Sequence, residues 1–104
     1  RVQEKNVILH GEISCLRSAG LISFHDTVMY TTLSPCAMCA GAIGLFKLWL
    51  VVIGESVTFP GSKDILAHFA IPYIDLEDER SISMMKAWRS VPANERLWQG
   101  DIGN

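Results

Sequence analysis

The sequence predicts an α/β fold, with helices on both faces of a sheet. Three observations predict it. Helix-like and strand-like segments alternate along the chain. The run Leu48-Trp49-Leu50-Val51-Val52-Ile53 is apolar at every position, as suits a strand covered on both sides. Of the 104 residues 49% are apolar and 19% charged, enough apolar side chain to offset chain ordering and exclude intrinsic disorder. One domain over residues 1–104 is the natural count at this length.

The elements follow in order. Residues 10–19 (HGEISCLRSA) read as a helix that stops at Gly20, a residue suited to the left-handed position after a helix. Thr27 to Leu33 is β-branched and aromatic, hence a strand. Ser34-Pro35 punctuates it, and Pro35 suits the opening of a helix over 36–46, whose small residues permit close packing. Residues 48–53 form the next strand, and Gly54 to Gly61 a loop. A short helix over 63–69, a strand near 71–76 and a helix over 78–90 follow. Three strands are few for such a sheet, where about five or six are usual.

In the last helix Ile82, Met85, Trp88 and Arg89 recur three or four residues apart, a stripe read as core packing. Glu77-Asp78-Glu79 reads as an acidic helix start, favourable to the helix dipole. Pro92 is expected to end the helix and residues 93–104 to form a mixed tail. Cys15, Met29, Met84 and Met85 are expected in the core, and His25 and His68 at the surface or in loops.

Charge and composition narrow the function. Nine Lys plus Arg stand against eleven Asp plus Glu, a net charge of −2. A nucleic-acid binder usually carries a basic surplus, so this balance favours a small substrate. No apolar run reaches the roughly 18 residues of a membrane helix, and no targeting pattern opens the chain. Two of the three cysteines form C-x-x-C, which suits thiols kept reduced in the cytoplasm.

The chemistry is carried by His10-Gly11-Glu12 and Pro35-Cys36-Ala37-Met38-Cys39. Cys36 and Cys39, three apart at a helix start, project from one face, where the helix dipole favours thiolate. His10 supplies a nitrogen from the start of another helix. One His and two Cys suit zinc in softness and geometry. Three protein ligands leave the fourth position open, which distinguishes a catalytic zinc from a structural one. Two thiolates cancel the charge of Zn²⁺, so the metal acidifies its water only moderately. Glu12 then serves as the proton shuttle that supplies the rest. An isolated C-x-x-C also suits a redox pair, and H-x-E alone occurs by chance. Their conjunction, separated by a strand, favours zinc.

These motifs resemble the zinc-dependent cytidine/deoxycytidylate deaminase superfamily, and within it the fungal-type cytosine deaminases. The matching stretches are L-H-G-E-I-S (9–14), Y-T-T-L-S-P-C-x-M-C-x-G-A-I (30–43), V-V-I-G-E-x-V-x-F (51–59), D-E-R (78–80) and D-I-G (101–103). H-x-E with P-C-x-x-C marks only the superfamily; G-E-x-V-x-F and W-x-x-D-I-G narrow it. The resemblance implies zinc on His10, Cys36 and Cys39, with Glu12 moving protons. It implies Phe59 and Trp98 as walls of a pyrimidine pocket, Asp101 as acceptor of the exocyclic amine, and backbone contacts to the base at Gly11 and Ser34. The implied reaction is attack of a zinc-activated hydroxide on C4 of cytosine, giving uracil and ammonia.

The resemblance also implies a three-layer α/β/α sandwich around a mixed sheet, a homodimer, and an enzyme of pyrimidine salvage in the cytoplasm, with the nucleus as a second compartment and no nucleic-acid or membrane partner. The chain departs from the pattern in three places. Gln99 follows Trp98 where the fungal enzymes tend to have an aromatic residue, and the loop between the His and Cys motifs is somewhat shorter. The family's first helix, a β-hairpin and a substrate-binding Asn precede H-x-E, so the chain is expected to lack them, to associate and to turn over weakly by itself. The rival readings are a nucleoside or tRNA-adenosine deaminase, and a zinc-binding fragment without turnover.

Overall fold

The computed structural model describes residues 5–101. Eight elements follow one another: α1 (Gly11–Ala19), β1 (Val28–Leu33), α2 (Ala37–Leu45), β2 (Leu50–Glu55), α3 (Lys63–His68), β3 (Tyr73–Asp75), α4 (Glu79–Arg89) and α5 (Pro92–Asp101). The strands form one sheet in the order β1-β2-β3. Val28 pairs with Leu50 and Leu33 with Glu55, and Val51 pairs with Tyr73, all in parallel. The resemblance implies a mixed sheet; the antiparallel hairpin that would make it mixed is not among the described residues.

The central strand explains the layers. Side chains alternate along a strand, so Val51, Ile53 and Glu55 face one side of β2 and Leu50, Val52 and Gly54 the other. Val51 and Ile53 pack with Ala40 and Ile43 of α2, Leu66 of α3, and Met29, Leu48 and Ile71 in one buried cluster. Ile43, Val51, Ile53 and Leu66 are wholly buried, each stabilising the fold by about 1.5–3 kcal/mol. Helix α4 packs on the sheet opposite this cluster, where Gly54 lets it approach. A Cβ at Gly54 would lie 2.5 Å from the Thr32 carbonyl oxygen and 2.8 Å from Ser81 Oγ. Gly54→Ala is therefore expected to cost on the order of 1–3 kcal/mol, read as a lowered melting temperature. An unchanged melting temperature would contradict the close approach.

The acidic start of α4 has a definite role at one residue. The Asp78 side chain accepts from Ser81 N at 3.1 Å and from Ser81 Oγ at 2.9 Å. This N-cap holds the Asp78 carboxyl below the usual carboxylate range. At the same, C-terminal end of the sheet, Lys63 Nζ bridges Ser56 Oγ at 2.9 Å and Asp75 Oδ2 at 2.8 Å, tying α3 to the ends of β2 and β3.

Three expectations are corrected. The tail is helical: α4 ends at Arg89, and Pro92 opens α5 instead of merely ending its predecessor. Proline at a first helical position gives up a donor that has no partner there. The α4 stripe is not deep core. None of its residues is buried, and Trp88 is exposed, because only one face of the helix is covered, by the end of β2 and by α5. Met29 is buried and Met85 half-buried, but Met84 and Cys15 are exposed. His25 and His68 are exposed. Among the described residues no helix is long and apolar enough to cross a membrane.

Candidate metal centre and active site

The site forms where the parallel strands end. Chain leaving β1 turns at Ser34-Pro35 into α2, and chain leaving β2 forms the loop over residues 56–62. His10 and Cys36 both sit at helix N-cap positions, with extended backbones (φ −60°, ψ 159° and φ −71°, ψ 176°). Neither side chain caps its helix, so both are available as ligands. Cys39 follows in the first turn of α2 and is wholly buried.

The ligand atoms of His10, Cys36 and Cys39 all lie within 4.8 Å of one another. His10 Nδ1 is 3.5 Å from Cys36 Sγ. Donors around a tetrahedral zinc, with bonds of about 2.0–2.3 Å, stand roughly 3.5–3.8 Å apart. One imidazole and two thiols at this spacing fit zinc. The thiols themselves are unequal. Contact with the Cys39 thiol, aided by the backbone N–H groups of Cys39 and Met38 and by His10, lowers the Cys36 thiol to about 5. The same contact, with burial and the nearby Glu12 carboxylate, pushes Cys39 far up. A cation held between the two sulfurs would bind both as thiolates.

Glu12 lies in the first turn of α1, beside this group. Its Oε1 accepts from Thr31 Oγ1 at 2.6 Å and its Oε2 from the Cys39 thiol at 3.2 Å. The outer ring nitrogen of His10 meets Asp101 Oδ1 at 3.3 Å, the arrangement by which a carboxylate fixes a ligating imidazole. Phe59 and Trp98 meet edge to face, with ring centroids 5.7 Å apart. Ser34 is buried; its Oγ donates to the Pro60 carbonyl at 2.9 Å, which holds the loop carrying Phe59 against α2. Gly11, Ser34, Phe59, Trp98 and Asp101 line one cavity of about 150 Å³, together with His10, Glu12 and Cys36. The structure brings the residues named from the sequence to one place, with Cys39 beneath the cavity; Ile102 and Gly103 of D-I-G lie outside the described residues.

Sequence reasoning missed several supporting groups. Thr31, which orients Glu12, carries no local signal. Glu55 carries one, since a carboxylate closing an apolar strand is costly to bury. It is wholly buried: Oε2 accepts from Thr58 N at 2.8 Å and Oε1 has no hydrogen-bond partner among the described residues. Arg89 and Glu95, which form paired hydrogen bonds behind Trp98, were hidden by the reading of the tail as irregular.

Comparison with known proteins fits this geometry. Residues 1–55 match the family described as "cytidine and deoxycytidylate deaminase zinc-binding region". Over 106 residues the chain is 39% identical to a cytosine deaminase of Candida albicans, covering 99% of this chain and 69% of that protein. The chain belongs to the cytidine and deoxycytidylate deaminase family. Among other relatives of this deaminase are tRNA-specific adenosine deaminases of Streptococcus pyogenes, 34% identical over 84 residues. The alignments with two of those cover 77% of this chain and 49% and 46% of the relatives, so the match spans about half their length. The family match contains His10, Glu12, Cys36 and Cys39; Phe59, Trp98 and Asp101 lie beyond it. The deaminase is thus a zinc-binding one, and His10, Cys36 and Cys39 are a group of side chains placed so that they could hold the metal.

Proposed function

We propose that this deaminase converts cytosine to uracil and ammonia, with Glu12 as the group that moves protons. The observation that carries the reading is the cavity beside Glu12 and the ligand trio. Its volume of about 150 Å³ gives room for a single flat ring. Phe59 and Trp98 are the aromatic walls a flat base needs, and Asp101 and the backbone at Gly11 and Ser34 are its polar contacts. Zinc held by His10, Cys36 and Cys39 would supply the Lewis acid that makes water a nucleophile near neutral pH. Glu12 takes one proton from the attacking water and gives it to the ring nitrogen, then takes the second from the hydroxyl formed at C4 and gives it to the amine, which departs as ammonia. Asp101 accepts from the exocyclic amine and directs C4 towards the attacking oxygen. The substrate enters as an amidine and leaves as a lactam, with water consumed and ammonia released.

The wider reading takes residues 1–104 as part of one deaminase domain that acts in the cytoplasm, in pyrimidine salvage, as a homodimer. An apolar groove of about 670 Å³ between α1 and the end of α2, with Leu21, Ile22, Leu45 and Phe46 exposed, supports a self-association surface. The Streptococcus relatives support a second reading, deamination of adenosine in tRNA. A net charge of −2 counts against a polyanionic substrate. Ammonia release by the full encoded protein should be compared on cytosine, cytidine and adenosine-containing RNA. Release from cytosine at the highest kcat/KM is expected. Activity on RNA without activity on cytosine would overturn the reading, and inactivity on all three would favour a zinc-binding fold without turnover.

A further inference from the structure

Helix α5 carries two of the pocket residues, Trp98 and Asp101, yet it is joined to the body by only Ser90 and Val91 and packs chiefly on α4. Asn94 Nδ2 donates to the Trp88 carbonyl at 3.0 Å and Asp101 meets His10 at 3.3 Å, but the link that also reaches the Trp98 ring runs through one side chain of α4. Arg89, the last residue of α4, donates from Nε to Glu95 Oε2 at 2.7 Å and from Nη2 to Glu95 Oε1 at 2.9 Å. Glu95 Oε1 also accepts from Gln99 Nε2 at 2.7 Å, one turn further along α5. The guanidinium carbon lies 5.6 Å from the centroid of the Trp98 ring. Trp98 in turn meets Phe59 across the pocket. The order Glu95, Arg89, Trp98, Phe59 is therefore a continuous series of contacts from the outer groove to the cavity wall. Arg89 and Glu95 line the groove behind Trp98 and do not line the cavity itself.

We infer that Arg89 is a positioning residue for the pocket: it fixes α5, and with it Trp98 and Asp101, over the cluster of His10, Glu12 and Cys36. The choice of side chain follows from shape. A guanidinium makes two parallel bonds to a carboxylate in one plane and presents that plane to an aromatic ring at the same time. A lysine keeps the charge but can do neither with the same orientation. The link is durable: bonds from Arg89 and then Gln99 hold the Glu95 carboxyl down at about 2, so it stays ionised throughout the neutral range. The inference rests on the cytosine reading only for the choice of substrate.

The test uses Arg89→Lys, with Glu95→Gln as a second variant that removes the partner's charge and keeps its shape. Two readouts are taken on the full encoded protein. The first is acrylamide quenching with Trp98 as the single tryptophan of residues 1–104, in a Trp49→Phe, Trp88→Phe background. The second is steady-state kinetics on cytosine. Arg89→Lys is expected to keep its zinc, to increase quenching of the buried Trp98, and to raise KM about tenfold while kcat changes less. Glu95→Gln should move both readouts the same way by a smaller factor. Unchanged quenching, or quenching that rises with KM unchanged, overturns the inference. A fall in kcat alone, in proportion to lost zinc or folded protein, overturns it too, since that is what a merely structural role produces. Wild-type protein inactive on cytosine overturns the substrate reading instead, while quenching still judges the placement of α5.

Discussion

Cys36→Ala and Cys39→Ala are each expected to lose both zinc and ammonia release. The argument is one of donor count. Among the described residues, His10, Cys36 and Cys39 are the three side chains whose ligand atoms fall within 4.8 Å of one another, so either change leaves two donors where zinc needs three to be held open for a fourth. Even perturbing an outer-shell partner of a zinc ligand costs about 10–100-fold in affinity, and removing a ligand outright should exceed that. The two variants differ in a second respect. Cys39 is wholly buried within α2 and beside the Glu12 carboxylate, whereas Cys36 is half-exposed at the helix start. Cys39→Ala is therefore expected to lower the melting temperature more than Cys36→Ala, in zinc-free protein as well. Metal analysis after dialysis, with thermal unfolding, checks both parts. Either variant retaining stoichiometric zinc would contradict the ligand assignment.

Glu12→Gln is expected to behave oppositely: zinc retained, turnover lost by about 10²–10⁴-fold, the range associated with a positioned general acid–base group. Glutamine keeps the length and still accepts from Thr31 Oγ1 through its carbonyl, so the local structure has little reason to move. What disappears is the capacity to take and return a proton. The amide also cannot bear the negative charge that lies beside the Cys39 sulfur. Retention of zinc with loss of kcat separates the proton carrier from the ligands, because the ligand changes remove both together. A Glu12→Gln protein with undiminished turnover would mean that another base serves the reaction.

The site was more legible in the sequence than the packing around it. H-x-E and P-C-x-x-C are local signals, since the spacing of a ligand pair on a helix start fixes where its side chains go. The strand Leu50–Glu55 was legible for a similar reason, because only a doubly covered strand is apolar at successive positions. The register of the strand reading ran two residues early at its start, where Leu48 is buried in the approach turn and Trp49 is exposed. Helix α5 was not legible. Its ten residues are mixed in polarity and its first is proline, which a linear reading takes as a stop, although the same residue opens helices. Exposed Met84 and Trp88 mark a related limit. A helical period shows that a face exists, but how deeply it is buried depends on what packs against it, and here that is the end of the central strand β2 and helix α5. Thr31 and Arg89 act through residues 19 and 6 positions away. Contacts of that kind are made by the fold and leave no mark in local spacing.

The most direct test of the central claim is ammonia release from cytosine titrated against zinc, using the full encoded protein stripped of metal. Release is expected to rise in proportion to added zinc and to level off at one zinc per chain, while Glu12→Gln takes up the same zinc and stays inactive. Cytosine turnover that is indifferent to zinc, or equal turnover by Glu12→Gln, would contradict the account.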